Sequence, residues 1–506
     1  KNKDFLLACK LLNTHIQKNN KILIIGDYDV DGCLSTSLMV KFLKKNNAKY
    51  NYYIPNRIKD GYGASKDLIK KLINIHKPKL TIFLDCGSSS YEALKFIKSK
   101  KINSLIIDHH NVNKPFPLSD IFINPKKNTE YKSYDYLCTV FLTYLFIDLY
   151  IKINQLKISI KEEQIYVLLA TVADVMPIRG INRILSLNVL NNFKVKDNLI
   201  FNYLFDNLNI KKKLELDLLG YIIAPIFNSA GRLNDATKIV KLLTTDSNKL
   251  KIEILKNICD PNKKRKFIEN ECLKKIDYDD LLNQRGVLFI YKPNLHEGII
   301  GIIASKIKEY FNKPCIVLTN SNKLIKGSAR STLDFNIGEY IQKALDQKIL
   351  ISGGGHNLAA GVSLLKSNLD NFKKFIDHYY KKKNYFSLNN YVSKILLDSV
   401  NKEFINNIEI LGPFGNLNEN PIFLIEKIKI IKPKIIKEKF ISFFVKKNNR
   451  TIKALSFNNL NTKISYHILN SKNDLDILVK IKDNKWNYKS SIELEIIDII
   501  TNINKT

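Results

Sequence analysis

The chain reads as an α/β protein that ends in a small β-barrel. Three observations predict this class. Short apolar runs alternate with helical patterns from residue 21 to about 125, and the same alternation returns after residue 284. Near residue 392 the pattern changes to closely spaced strand-like runs. Buried runs separated by helices predict a parallel sheet covered on both faces, and closely spaced strands predict a barrel.

The elements follow in order. "KNKDFLLACKLLNTHIQKNN" has apolar residues at amphipathic-helix spacing, with no solid apolar block or small-residue cleavage site. It predicts a helix and not a secretory signal, and the missing initial Met suggests trimmed first residues. The runs "KILIIGD" (21–27), "LTIFLDC" (80–86), "SLIIDHH" (104–110) and "IFIN" (121–124) predict strands, with "CLSTSLMVKFLKKNN" and "YEALKFIKSKK" as helices among them. Residues 135 to 245 read as mostly helical, most plainly in "EEQIYVLLATVADV" (162–175), and the charged stretch 249–282 reads as a helical connector. "GVLFIYK", "EGIIGIIASKIKEYF", "PCIVLT", "LIKGSAR" and "AAGVSLL" form a second α/β unit, and "NPIFLIEKIKII", "KFISFFVKK" and "RTIKALSF" begin the barrel. Since 506 residues exceed what one core holds, the expected division is 1–245, 246–283, 284–391 and 392–506. The tail "TNINKT" is expected to fray.

Composition narrows the function. An apolar content of 45% excludes a disordered chain, and no apolar run approaches the roughly 18 residues of a membrane span. Seven scattered cysteines, odd in number and never in a C-x-x-C pair, argue against a disulfide framework or zinc site and for a reducing cytoplasm. The formal charge of +33 fits a nucleic-acid partner, although a chain rich in Lys, Asn and Ile throughout carries such charge for compositional reasons too.

The chemistry lies in the acidic residues. In parallel sheets ligands sit beyond the carboxyl ends of the strands, and three of the four runs end in aspartate there. Asp27, Asp29 and Asp31 fall on the loop entering the next helix. Asp85 and Asp108 end neighbouring strands, with His109 and His110 beside them, and Asp174 closes a helical segment. Taken singly, each such aspartate is as readily a helix N-cap or a turn former. Their coincidence at successive strand ends points instead to a ligand set for Mn²⁺ or Mg²⁺, with manganese favoured by the imidazole. Two divalent cations sharing a carboxylate would offset the repulsion, activate water and neutralise a phosphate.

These motifs carry a resemblance. "GDYDVDG", "FLDCG", "IIDHH" and "TVADV" resemble, in order, the four motifs of the DHH phosphoesterase superfamily. "YIPNRIKDGYG", "FNSAGRLNDA", "HEGIIGIIASKI", "KGSARS", "SGGGHNLAAG" and "LGPFGNLNENPIF" are similar to its RecJ family of single-strand-specific 5′–3′ DNA exonucleases. The likeness runs from about residue 20 to at least 423. It implies a DHH domain, a helical connector, a DHHA1-like domain and an OB-fold-like barrel. It further implies that Asp29, Asp31, Asp85, His109 and Asp174 are metal ligands, with Asp85 bridging two ions and Asp27 either a ligand or just outside. His110 would stand beside the attacked phosphate. Arg57, Ser328 and Arg330 would grip the 5′-terminal phosphate, and His356 would touch the strand near the scissile group. Arg232 reads as a substrate contact or as a domain-interface ion pair. Many superfamily members carry His where this chain has Ile25, so either Asp27 substitutes for it or one ion is held more weakly.

The activity so implied is hydrolysis of single-stranded DNA from its 5′ end to mononucleotides, in repair and recombination. A groove too narrow for duplex would set the strand preference. Expected partners are single-stranded-DNA-binding protein and a RecQ-type helicase, with a monomeric chain in the cytoplasm on the nucleoid and no membrane partner. Two rivals remain: a DHH-type phosphodiesterase acting on short RNA, cyclic dinucleotides or adenosine bisphosphate, and an inactive single-strand-binding scaffold.

Other residues carry less. Tyr52, Tyr53 and Tyr62 either stack bases or pack in the core, and the same choice holds for Phe414, Phe440, Phe443 and Phe444. Taken alone, "SGGGH" reads as a tight turn and "KGSAR" as an edge strand. His296 precedes a helix that it could cap, Cys86 reads as a buried filler, and His15, His76, His378 and His467 have no partner motif.

Overall fold

The computed structural model describes residues 3–56, 60, 64–112, 114–127, 134–233, 235–321, 324–332, 334–380, 391–436, 440–457, 463–470, 473–486 and 489–500. They fall into two units, Lys1–Lys275 with Gly415–Leu417, and Ile276–Phe414 with Asn418–Thr506.

The first unit is built on a five-stranded parallel sheet. Its elements are α1 (Lys3–Gln17), β1 (Ile22–Ile25), α2 (Val30–Lys45), β2 (Tyr50–Tyr53), α3 (Lys66–His76), β3 (Leu80–Leu84), α4 (Tyr91–Ser99), β4 (Asn103–Ile107) and β5 (Ile121–Ile123), in the sheet order β2-β1-β3-β4-β5. The four apolar runs are β1, β3, β4 and β5. The edge strand β2 was not expected, because "YNYY" has no apolar run and lies only half-buried. Alternate residues of β1 face opposite layers: Ile22 and Ile24 join the core under α1, α2 and α5 (Thr139–Ile153), and Leu23 and Ile25 pack with Ile69 of α3 and Leu94 of α4. Ile25 is therefore a core residue. His15 ties α1 to β4, its Nε2 3.0 Å from Asn103 Oδ1, so it is not incidental.

Helices complete this unit: α6 (Gln164–Ala173), α7 (Gly180–Asn192), α8 (Leu199–Asn207), the short α9 (Leu216–Leu218), α10 (Ala224–Leu233), α11 (Thr237–Thr244) and α12 (Asn248–Lys274). α12 starts inside the unit's core, where Ile254, Leu255, Ile258 and Cys259 are buried, so the charged stretch is not wholly a solvated connector.

The second unit opens with α13 (Tyr278–Asn283), β6 (Leu288–Tyr291), α14 (Glu297–Phe311), β7 (Cys315–Ser321), β8 (Leu324–Arg330), α15 (Ile337–Asp346), β9 (Ser352–His356), β10 (Ala359–Leu364) and α16 (Leu369–Tyr379). The sheet order is β6-β7-β8-β10-β9, with only β6 and β7 parallel. "SGGGH" is the edge strand β9 and not a turn. Its glycines lie flat in the ladder, and the chain reverses at Asn357 and Leu358.

The barrel follows as β11 (Ser393–Lys394), α17 (Lys402–Leu411), β12 (Phe423–Ile436), β13 (Phe440–Lys447), β14 (Arg450–Phe457), α18 (Lys463–Asn470), β15 (Leu475–Trp486) and β16 (Lys489–Ile500). Pairing of β12 with β15 closes the sheet order β12-β13-β14-β16-β15 into a barrel. The pleat separates the phenylalanines: Phe443 is buried in the barrel core and Phe414 packs against it, whereas Phe444 faces outward at 41% exposure. Among the described residues no helix is long and apolar enough to cross a membrane.

Candidate metal centre

At the carboxyl edge of the first sheet the expected acidic residues meet. Asp29 is the N-cap of α2, and its Oδ1 accepts from the Gly32 amide at 3.0 Å. The capping role and the cluster thus use one carboxylate. Gly32 is needed for the approach, since a Cβ there would lie 2.6 Å from the Asp27 backbone. Asp31 sits in the first turn of α2, fully buried, and its two oxygens accept from the Thr139 and Val140 amides at 2.7 and 2.8 Å. Those amides are the unpaired N-terminus of α5, a natural seat for an anion.

Asp85 follows β3 with φ 62°, a left-handed conformation that an aspartate tolerates better than most residues. Its Oδ1 accepts from Thr139 Oγ1 at 2.9 Å. His109 Nε2 lies 3.3 Å from Asp174 Oδ2, 3.5 Å from Asp85 Oδ1 and 3.8 Å from Asp31 Oδ2. Three groups have ligand atoms within 4.8 Å of one another: Asp85, His109 and His110; Asp31, His109 and Asp174; Asp27, Asp29 and Asp85. Asp85 is common to two of them. The third group forms without any residue at position 25.

The electrostatics are those of a crowded, buried anionic site. Burial and the neighbouring Asp29 push the Asp27 carboxyl up to about 8. The same causes raise Asp31 to about 6 even though the α5 amides pull the other way. Burial, then Asp31 and Asp29, raise both Asp85 and Asp174 well above the carboxylate range. Asp27 Oδ1 and Asp85 Oδ2 are buried and receive no hydrogen bond from any of the described residues. Buried carboxylate oxygens without donors are costly, and a divalent cation is the partner that suits this donor set. The residues therefore fit the metal reading.

The sequence places Asp108 at this strand end among the candidate ligands. Among the described residues it joins none of the three groups and instead holds His110, a role that sequence reasoning missed together with Ser88 and Asn124. Asp108 is buried and accepts from the His109 and His110 amides, from the Ser88 amide at 3.1 Å, and from His110 Nδ1 at 2.7 Å. Burial alone would raise its carboxyl, but the His110 and Ser88 bonds and the His110 charge outweigh this and hold it very low. Burial would lower His110, yet the bond to Asp108 and the charges of Asp108, Asp174 and Asp29 push it up to about 9. Asn124 donates to the His110 carbonyl at 2.9 Å and to Ser88 Oγ at 3.1 Å. Its position at the polar end of "IFIN", on the same sheet edge, was the available signal. Cys86 is a buried filler, its thiol raised by burial and its Sγ 3.5 Å from the Ile25 carbonyl.

In the second unit, Ser328, Arg330 and His356 share one sheet face. Ser328 pairs across to Gly361 and on to Gly354, and Arg330 to Ala359 and on to His356. A Cβ on Gly354 or Gly361 would meet nothing within 4 Å, so the floor between these side chains is bare backbone. Arg330 Nη1 donates to Ser328 Oγ at 3.0 Å. His296 caps α14, its Nδ1 accepting from the Gly298 amide at 3.0 Å. Tyr53 donates to Asp60 Oδ2 at 2.9 Å, and Tyr52 packs against the first core, which leaves neither as a bare stacking platform. Arg57, Tyr62 and the Arg232 side chain lie outside the described residues.

A parallel sheet with carboxylates and paired histidines at its carboxyl edge, followed by a small mixed sheet, defines a DHH-type phosphoesterase. The N-terminal domain of the DHH family matches residues 21–173, the DHHA1 domain residues 284–382, and the RecJ OB domain residues 393–498. The chain belongs to the RecJ family. It is 30% identical over 389 residues to the single-stranded-DNA-specific exonuclease RecJ of Haemophilus influenzae, covering 72% of this chain and 67% of that one. The Bacillus subtilis RecJ is 26% identical over 441 residues, covering 83% of this chain and 53% of the relative. A crystal structure of Thermus thermophilus RecJ in complex with Mn²⁺ shares the fold, with TM-score 0.82, 21% identity, and coverage of 99% of this chain and 72% of that one. A structure of exonuclease RecJ bound to manganese gives TM-score 0.62 and 25% identity, over 74% of this chain and 94% of that one.

The raised Asp27 carboxyl makes a pH prediction. Its folded pKa exceeds the ordinary 3.8, so its contribution to stability is complete below 3.8 and is lost as pH rises through about 8. In chelator, the melting temperature of the unaltered chain should fall across that window, and Asp27→Asn should flatten the fall. Thermal denaturation at a series of pH values checks this; parallel curves would contradict it.

Proposed function

We propose that the chain is a divalent-cation-dependent exonuclease that hydrolyses single-stranded DNA from the 5′ end to mononucleotides. The observation that carries this reading is the convergence of Asp29, Asp31, Asp85, His109 and Asp174 on one sheet edge, with Asp27 alongside. In this reading Asp29, Asp31, Asp85, His109 and Asp174, with Asp27 alongside, would hold two cations, Mn²⁺ or Mg²⁺. When bound, such ions lower the pKa of water and polarise phosphoryl oxygens. The protein's own groups do the rest. The α5 amides and Thr139 fix the Asp31 and Asp85 carboxylates, so the ligand set is preorganised. His110, kept protonated by Asp108, presents a proton and a positive charge to the phosphate beside Asp85. Ser328 and Arg330 take the 5′-terminal phosphate, where a guanidinium gives paired contacts to oxygen, and His356 touches the strand across the bare glycine floor. Arg57 and Arg232 join the substrate contacts by family resemblance.

The same family membership supports a monomer acting in the cytoplasm, on the nucleoid. There it works on strands opened by a RecQ-type helicase and covered by single-stranded-DNA-binding protein.

Asp85→Ala should reduce cleavage of a 5′-phosphorylated strand by roughly 1,000-fold or more while leaving strand binding largely intact. A nuclease assay beside a gel-shift measures both, and unchanged cleavage would refute the site. The unaltered chain should also prefer a long 5′-phosphorylated strand over dinucleotides; the opposite preference would favour a short-substrate phosphodiesterase. A third test concerns Gly301, where a Cβ would lie 3.0 Å from Ser328 Oγ and 3.1 Å from Arg330 Nη2. Gly301→Ala should displace both and raise KM for 5′-phosphorylated strands roughly 10-fold, about the worth of one charged hydrogen bond. Strands with a 5′ hydroxyl should be little affected, and steady-state kinetics on the two substrates decides.

A further inference from the structure

We propose that Asn416 is a positioning residue for the metal centre: it holds the turn that aims Asp174. The inference rests on the metal reading above and adds to it a residue far away in sequence.

Asp174 is the C-cap of α6, and the chain leaves the helix through Val175. Val175 has φ 53°, in the left-handed region. Its amide bonds to the Val172 carbonyl at 3.1 Å and the Met176 amide to the Thr171 carbonyl at 2.9 Å, the pair that closes a helix through a left-handed residue. Glycine usually fills that position. A β-branched residue there is a genuine outlier, and such strain persists only where the surroundings over-determine it. Burial does not hold Val175, which is 64% exposed.

The tripeptide Gly415–Leu417, which belongs to the first unit, supplies the restraint. Asn416 Nδ2 donates to the Val175 carbonyl at 2.5 Å, and the Asn416 carbonyl accepts from the Ile178 amide at 2.8 Å. Gly415 lets this segment lie flat, since a Cβ there would stand 2.7 Å from Ile178 Cγ1. Asn182 fixes the next point of the loop by donating to the Pro177 carbonyl at 3.0 Å. Asn416 is thus the side chain that grips Val175 itself. The turn so held delivers the Asp174 carboxylate to 3.3 Å from His109 Nε2. Release of Val175 lets the helix end relax toward ordinary φ, which rotates Asp174 away.

The test measures Mn²⁺ affinity directly, by electron paramagnetic resonance of free Mn²⁺ during titration of the full chain, alongside melting temperature in chelator. Asn416→Ala should weaken Mn²⁺ binding about 10-fold, as loss of a group that orients a ligand does. Asn416→Asp, which keeps the shape but sets an oxygen against the Val175 carbonyl, should weaken it at least as much. Adding Val175→Gly to Asn416→Ala should restore most of the affinity, because glycine adopts the turn without restraint. Unchanged affinity in both Asn416 variants would overturn the proposal. So would a lower melting temperature with no change in affinity, or a failure of Val175→Gly to rescue. If the unaltered chain binds no Mn²⁺, the metal reading falls and takes this proposal with it.

Discussion

Negative charge concentrated in a place where water cannot screen it is the constraint on which the first unit is organised. Asp27, Asp31, Asp85 and Asp174 all have carboxyls raised first by burial and then by neighbouring aspartates, Asp29 among them in every case. A fold tolerates such a cluster only with compensation. Part of it is built in: the α5 amides on Asp31, Thr139 on Asp85, and the Gly32 amide on Asp29. Asp27 Oδ1 and Asp85 Oδ2, which no donor reaches among the described residues, are the oxygens that a cation would satisfy. A buried charge that is only half-satisfied is a poor way to stabilise a protein and an effective way to bind a cation.

The two histidines of "DHH" show how neighbouring residues take opposite parts. His109 is aimed at three carboxylates, whereas His110 is turned by Asp108 and carried toward the protonated state. Asp108 acts on both through their backbone amides. One strand end therefore provides both a group placed among the acidic side chains and a charged acid beside them. The left-handed backbone of Asp85 and Val175 belongs to the same design, since each turns a chain at the point where a carboxylate must leave it.

Much of this was legible in the sequence, for definite reasons. Apolar runs ending in aspartate mark both the strand and its functional end, so the sheet edge and the seven acidic and imidazole groups that meet there could be read directly. The sharing of Asp29 between cap and cluster shows why each aspartate alone was ambiguous. Illegible were the groups that act through the backbone or across long separations. Thr139 and Val140 contribute amides, which have no sequence signature. Asn416 acts over 241 positions. β2 lacked an apolar run because an edge strand needs none, and "SGGGH" looked like a turn because glycine marks flat, bare strands as well as reversals. In the barrel, adjacent phenylalanines could not be sorted into core and surface until the register was known.

If the acidic edge of the first sheet is a divalent-cation site, manganese collects there. Anomalous diffraction at the manganese edge from crystals of the full chain grown with Mn²⁺ tests it most directly. Peaks bounded by Asp29, Asp31, Asp85, His109 and Asp174 are expected, with Asp85 touching more than one if two ions bind. Diffraction showing manganese only at other positions, or none at this edge at saturating concentration, would contradict it.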